Sequence, residues 1–323
     1  MSRVTYSAGG VNLSRAYGVL KSLSKKGGIS YFASVAYAHR NVGGPLKLAF
    51  SADGTGTKTE LLRRLNLDWI SGWDCVAMNA NDLLCVGAQP RWFLDYYAQG
   101  RINQKTFDKV LFGMRKALAV VGAEMTGGET AELPGVFAGP EVYDVAGFLA
   151  GTIAKGVVLD PKTARPGDLV IGLASSGPHS NGFSLIRKAL SWPEIRRWSK
   201  ELLAPTRLYQ SQIIRLLNNV RVRSLAHITG GGFVEKLPRA MGPACGAALR
   251  WGSWRVPPVF EYLRKKTGLN PRESCGVFNM GIGFVLIVDP AGWPALSQEL
   301  ANKGVVIGEI YRRKRAQPAV IIA

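Results

Sequence analysis

Four glycine-rich turns with polar residues attached are the strongest chemical feature of the sequence. They are Asp53-Gly-Thr-Gly-Thr-Lys58, Gly127-Gly-Glu-Thr130, Ser175-Ser-Gly-Pro-His-Ser-Asn-Gly182 and His227-Ile-Thr-Gly-Gly-Gly232. Glycine lets backbone N–H groups crowd an anion, and a helix N-terminus adds a favourable dipole. Ordinary tight turns also use glycine, so one such turn says little, whereas four with polar residues argue for ligand loops. None has the P-loop spacing, because Lys58 falls outside it, and none has the dinucleotide-binding pattern with a partner acid.

Acids stand next to these turns. Asp53 ends an apolar run, Glu129 follows a glycine pair, and Asp82 shares a helix face with Asn79, three residues away. Hard oxygen ligands of this kind suit Mg²⁺, which holds nucleotide phosphates through one or two carboxylates and water. The plain alternative for each is a capping or surface acid. His179 and His227 each adjoin a glycine loop, which separates them from a histidine lost in a core. Ser180 and Asn181 stand at a helix start, where they would also serve as ordinary caps.

The elements that must hold these residues alternate between strand and helix. In the first half, residues 46–52 read as a strand, followed by a helix to about 66. Residues 73–86 read as a helix, with Val76, Ala80 and Leu83 on a buried face. Strands are expected over 91–98 and 143–155, and a long helix over 104–121. The Pro- and Gly-containing stretch 160–167 breaks the periodicity and marks a domain boundary, giving domains 1–160 and 161–323. The second half restarts with a strand over 169–174, a helix to 190 and another over 205–217. A strand over 222–228 leads into a helix ending near 241. Further elements are a helix at 257–266, a strand at 277–288, a helix at 293–303 and short strands near Val305 and Val320. The fold class is α/β, or mixed α+β, in two domains.

Composition bounds the function. The chain has 323 residues, 47% of them hydrophobic and 20% charged, which is globular composition. Its longest apolar stretch, 276–288, is interrupted by Asn279 and falls short of the roughly 20 residues that cross a bilayer. Residues 1–20 show no signal-peptide core. Four cysteines without a paired spacing favour a reducing cytoplasm over a disulfide or zinc framework. The net charge of +19 admits a nucleic-acid surface, but no helix-turn-helix, finger or RRM signature accompanies it. A basic solvated surface is the favoured reading, and nucleic acid is not an expected partner. Trp192, Trp198, Trp251 and Trp254 read as core or interface residues for the same reason.

Taken in order, the motifs resemble one family. Besides the four turns they include Asn81-Asp-Leu83, Phe93-Leu-Asp-Tyr-Tyr-Ala98, Tyr143-Asp-Val-Ala-Gly-Phe148, Leu203-Ala-Pro-Thr-Arg207 and Phe278-Asn-Met-Gly-Ile-Gly283. The set is similar to the phosphoribosylformylglycinamidine cyclo-ligases, or aminoimidazole ribonucleotide synthetases, over nearly the whole chain. Selenophosphate synthetase, thiamine-phosphate kinase and the hydrogenase-maturation dehydratase share that fold but not the full set. The resemblance implies an N-terminal domain whose sheet pairs with a second copy into a shared barrel, making a homodimer. It also implies ATP-dependent closure of formylglycinamidine ribonucleotide to aminoimidazole ribonucleotide. The alternatives are an inactive basic binding protein on this fold, or another ATP-using member of the superfamily.

Under the resemblance, Asp53 and Asp82 would hold Mg²⁺ with ATP, and Glu129 is a further candidate. Gly54, Gly56, Thr57, Lys58, Asn81, Gly127 and Gly128 would bind the nucleotide. Ser180, Asn181, His227 and Thr229 would hold the substrate. Lys58, Asp82 and His179 would be catalytic, with His179 carrying a proton. The chain departs from the family pattern at Tyr6-Ser-Ala-Gly-Gly-Val-Asn-Leu13, which lacks the usual acids, and at a shortened Gly27-Gly-Ile-Ser-Tyr-Phe32. A lysine expected near there is Lys21, Lys25 or Lys26.

Overall fold

The computed structural model describes residues 32–37, 47–154, 156, 159–301 and 303–323. The 6–13 and 27–31 stretches and Lys21, Lys25 and Lys26 lie outside the described residues.

The first half forms a five-stranded sheet from β1 (Ser34–Tyr37), β2 (Lys47–Gly54), β3 (Ala88–Gln99), β4 (Glu124–Glu132) and β5 (Tyr143–Ile153), in the order β1-β2-β5-β3-β4. β3 and β4 run parallel and the other pairs antiparallel. Helices α1 (Lys58–Arg64) and α2 (Asp68–Leu84) follow β2, and α3 (Gln104–Val121) makes the crossover from β3 to β4. The expected bounds of α3 are met at both ends, for local reasons. The Asn103 side chain accepts from the Thr106 N–H at 3.1 Å, and Gly122 closes the helix at φ +68°.

β5 alternates strictly between buried and accessible positions, so one face of the sheet lies against α2 and α3. The core there joins Val76, Ala80 and Leu83 to Phe93, Tyr97, Val110, Met114 and Leu149. The opposite face carries Phe50, Trp92, Leu94, Tyr96 and Phe148, each 39–49% exposed.

The second half contains β6 (Leu169–Ala174), β7 (Ser224–His227), β8 (Cys245–Leu249), β9 (Ile282–Val288), β10 (Gly304–Arg312) and β11 (Val320–Ile322), ordered β11-β8-β10-β6-β9-β7. Only β11 and β8 pair in parallel. The helices are α4 (Phe183–Ala189), α5 (Trp192–Arg197), α6 (Ser199–Leu202), α7 (Gln210–Asn219), α8 (Gly232–Lys236), α9 (Pro258–Thr267), α10 (Pro271–Cys275) and α11 (Trp293–Glu299). Every residue of β9 is buried, as expected for an apolar run between two other strands.

The two halves share their cores. Leu61, Leu62 and Ile70 of the first half pack with Phe183, Leu185 and Ile186 of the second, and Leu84 with Tyr209 and Phe284. The residues around α1 and α2 therefore bridge both sheets.

Several expected bounds shift for identifiable reasons. The helix expected from 205 begins only at Gln210. Upstream, the Thr206 and Tyr209 N–H groups donate to the Asp74 and Asn81 side chains instead of a helical ladder. The strand expected from 277 begins at Ile282, because Asn279 closes a turn by accepting from the Gly281 N–H at 3.0 Å. The helix expected from 73 begins five residues earlier, at Asp68. β4 is a full strand despite its glycines and acids, because β3 pairs along it.

Candidate active site

The site is built where β2, α2, the 175–182 loop and the end of β7 converge. Asp53 is the penultimate residue of β2, facing α2, and its Oδ1 accepts from the Gly54 N–H at 2.8 Å. Asn79 holds the β2 backbone by donating to the Asp53 carbonyl at 3.0 Å. Burial pushes the Asp53 carboxyl up to about 6, and the nearby charge of Asp82 adds to that. A buried carboxyl raised in this way by a neighbouring acid is arranged for a cation.

Asp82, one turn from the end of α2, accepts at Oδ1 from His227 Nδ1 at 2.8 Å. On the other side of that ring, His227 Nε2 lies 3.4 Å from Asn81 Nδ2. An amide nitrogen only donates, so a neutral His227 carries its proton on Nδ1 and is held by Asp82. Asn81 also bridges the halves, donating to the Arg207 carbonyl at 2.9 Å and accepting from the Tyr209 N–H at 3.2 Å.

Lys236 was not expected. It lies at the end of α8, close enough to Asp82 and Asp53 for their charges to act on it, and burial lowers its ammonium pKa. Its placement after three glycines was the available signal.

His179 is fully buried and adopts φ +59°, a left-handed conformation uncommon for a residue with a side chain. Its Nε2 accepts from the Ser176 N–H at 3.3 Å, so Nδ1 bears the proton, and Nδ1 has no partner. Burial holds the imidazole well below its ordinary pKa, with His227, Lys58 and Arg207 adding to the effect. His179 is therefore a neutral donor with an open N–H. The neighbouring Asn181 is also buried with an unpartnered Nδ2. Two buried donors left open on adjacent turns of one loop mark a place where acceptor oxygens belong.

Space for His179 comes from Gly283. A Cβ there would lie 2.4 Å from His179 Cε1 and 2.3 Å from Tyr209 Oη. Asn279 secures the same corner, accepting from Ser175 Oγ at 3.2 Å and donating to the Gly177 carbonyl at 2.9 Å. Thr229 is buried, and its carbonyl accepts from the Gly232 N–H at 2.8 Å in the turn after His227.

Lys58 departs from its expected setting. It is fully buried, with Nζ 2.6 Å from Asp74 Oδ2 and 2.9 Å from the Ala204 carbonyl. Gly56 and Thr57 are exposed and line a cavity of about 640 Å³ with Arg63, Tyr143 and Arg187; it does not include Asp53, Asp82 or His179.

Glu129 does not join Asp53 within one chain. Gly54, Ala146, Tyr96 and Glu129 lie in one row across four strands, which at ~4.8 Å per strand separates the ends by about 14 Å. Glu129 shares the exposed apolar face with Tyr96, whereas Asp53 points to the α2 side. Gly128 lies against the Asp95 carboxylate, and Gly127 against Leu94.

The donor set fits a Mg²⁺ ion held jointly with phosphates. Within the described residues no hydrogen bond engages the second oxygen of Asp53 or Asp82, and the charge of Asp82 acts on Asp53. Among the described residues, no group of three or more His, Cys, Asp or Glu is gathered as a complete cage for a metal. Mg²⁺ normally takes one or two carboxylates and completes its shell with phosphate and water.

Comparison with known proteins places these features. Residues 34–153 match the N-terminal domain of AIR synthase related proteins, and residues 165–321 match the C-terminal domain. A phosphoribosylformylglycinamidine cyclo-ligase of Methylobacillus flagellatus is 39% identical over 301 residues, 91% of this chain and 86% of that protein. Another from Bordetella petrii is 39% identical over 85% of this chain and 82% of its own length. Among solved structures, thiamine monophosphate kinase of Aquifex aeolicus superposes with a TM-score of 0.65 at 16% identity, covering 96% of each chain. The hydrogenase maturation protein HypE of E. coli gives 0.65 at 20% identity, covering 85% of this chain and 82% of its own. These last two share the fold.

Proposed function

Because the chain belongs to the AIR synthase related family, we infer that its cleft closes an imidazole ring at the expense of ATP. Formylglycinamidine ribonucleotide and ATP give aminoimidazole ribonucleotide, ADP and phosphate. The observation that carries this reading is the 39% identity to cyclo-ligases over 91% of the chain, and the grouping of Asp53, Asp82 and His227 supports it.

An amide oxygen is a poor leaving group until it is phosphorylated. The oxygen attacks the γ-phosphorus of ATP and ADP departs, leaving an iminophosphate. The amidine nitrogen then attacks that carbon, the C–O bond breaks and phosphate leaves. Phosphoryl transfer of this kind depends on positioning and charge neutralisation. Asp53 and Asp82 are the residues that would hold Mg²⁺, which neutralises phosphate charge when bound. Lys236 adds positive charge beside them, and the backbone of Gly54, which follows Asp53, is the part of the turn that would meet the phosphates. His179 Nδ1 and Asn181 Nδ2 donate to substrate oxygens, with Ser180, Thr229 and His227 shaping that wall. With its Nε2 occupied by Ser176, His179 serves as a fixed donor.

The exposed apolar face of the first sheet supports a homodimer, since a patch of five large apolar residues is unusual on a monomer. Pairing there turns Glu129 and Gly127 toward the second copy. No described helix is long and apolar enough to cross a membrane. A cytoplasmic setting matches the four free cysteines.

The test is product formation with formylglycinamidine ribonucleotide, ATP and Mg²⁺, following aminoimidazole ribonucleotide and ADP together. Equal amounts of both are expected, with turnover reduced at least 100-fold in Asp82→Ala while the fold persists. ADP without the imidazole product would assign a different acceptor. Neither product from a folded dimer would favour a binding protein.

A further inference from the structure

Asp74 sits fully buried in the middle of α2, with no place in the chemistry above. Its carboxylate gathers three donors from three separate segments. Oδ2 accepts from Lys58 Nζ at 2.6 Å and from Ser180 Oγ at 2.9 Å, and Oδ1 accepts from the Thr206 N–H at 2.7 Å. Lys58 donates a second time, to the Ala204 carbonyl at 2.9 Å, so it too ties the first half to the 203–207 segment. Trp73, the preceding residue, donates from Nε1 to the Thr206 carbonyl at 2.8 Å.

These contacts connect both walls of the cleft. Lys58 ends the Asp53–Lys58 turn, which carries the acid and the glycine backbone. Ser180 lies between His179, held at φ +59°, and Asn181, whose amide is left open. One carboxylate therefore sets how far the phosphate-side turn stands from the substrate-side loop. A buried charge with a single partner would be a costly arrangement; three donors satisfy it and fix its geometry.

We propose that Asp74 is a positioning residue for the cyclisation, and that Lys58 acts through it as a latch between the two halves and does not contact ATP phosphate directly. This rests on the cyclo-ligase reading, so the wild-type protein must first form product; a wild type without turnover would defeat that reading and leave the latch to be judged by ligand binding.

Two sets of variants test it. Asp74→Asn combined with Lys58→Met removes both buried charges together and is expected to keep a melting temperature near that of the wild type. Its kcat is expected to fall about 100-fold, the scale of a small misplacement of reacting groups. In the same protein the KM for formylglycinamidine ribonucleotide should rise, while the KM for ATP changes less than threefold. Recovery of wild-type kcat along with stability would show a purely structural pair and overturn the proposal. A tenfold or greater rise in the KM for ATP in Lys58→Met, absent in Asp74→Asn, would make Lys58 a direct phosphate ligand and also overturn it.

The second set is independent of whether the charge variants fold. Ser180→Ala should raise the KM for formylglycinamidine ribonucleotide at unchanged melting temperature, and Ser180→Thr, which keeps the hydroxyl, should restore it. Wild-type kinetics in Ser180→Ala would remove the link between Asp74 and the substrate loop. If Ser180→Ala is impaired and the KM for ATP is unmoved, direct binding of formylglycinamidine ribonucleotide to the two proteins by calorimetry should show the weakened site without turnover.

Discussion

The Mg²⁺ role proposed for Asp53 needs an anion at a place that resists one. Burial and Asp82 raise its pKa from the ordinary 3.8 to about 6, so the folded state holds the proton more tightly than the unfolded chain. The sign of the linkage follows: its stabilising contribution is present below pH 3.8 and is lost as pH rises through about 6. Cation binding needs the opposite, ionised form. We therefore expect the affinity of the metal-free protein for Mg²⁺–ATP, measured by calorimetry, to fall about tenfold per pH unit below about 6, as the Asp53 carboxyl takes up its proton. Asp53→Asn should lose this limb along with most of its turnover. Measured by thermal unfolding at pH 8 without Mg²⁺, the same variant should melt higher than the wild type, because the uncompensated charge is gone. A lower melting temperature would mean that Asp53 is a structural ion. His179, held well below its ordinary pKa by burial, adds no limb of its own near neutrality.

At the level of elements, the loops that carry chemistry are held by residues whose role shows only in three dimensions. Gly283 opens β9 beneath His179, and Gly283→Ala is expected to force His179 and Tyr209 aside. Overpacking of this kind costs about 1–3 kcal/mol. Differential scanning calorimetry should show a melting temperature lowered by several degrees. Turnover should fall further than that loss of stability explains, because the displaced group is His179; activity lost only in proportion to unfolded protein would refute the link. The glycine turns, the alternating pattern of β5 and the capped helix α3 were legible in the sequence because local chemistry determines them. The helix expected from Pro205 was not, since its first N–H groups go to Asp74 and Asn81, which lie more than a hundred positions away. Those two acceptors stand seven residues apart on α2, a spacing that puts them on one stripe of a helix. That polar stripe on a buried helix was the one sequence signal for the junction between halves. Glu129 was read with Asp53 from its glycines alone, whereas strand order sets them about 14 Å apart. The place of Lys58 after a glycine turn suggests a phosphate ligand, whereas its buried pairing with Asp74 is a tertiary fact that no local pattern carries.

For the whole molecule, the exposed apolar face of the first sheet is the feature on which the proposed homodimer rests. Phe50, Trp92, Leu94, Tyr96 and Phe148 lie in neighbouring rows, with Phe148 between Ala52 of β2 and Leu94 of β3. A second copy laid on this face would bury each of these side chains and remove the apolar patch from water. Each fully buried side chain of this size contributes roughly 1.5–3 kcal/mol, enough for five per subunit to offset the cost of association. A net charge of +19 per chain opposes the pairing by repulsion that salt screens, so the dimer should tighten as ionic strength rises. Nucleic-acid binding by the same charges would weaken over that range, which separates the two effects. Sedimentation velocity at micromolar protein should show a dimer in the wild type and a monomer in Leu94→Glu/Phe148→Glu, whose side chains both point away from the core. The monomer should keep its circular dichroism but lose turnover, because Glu129 and Gly127 lie on the face that the partner covers. A wild type that sediments as a monomer, or a monomeric variant with full activity, would confine the site to one chain and leave Glu129 outside it.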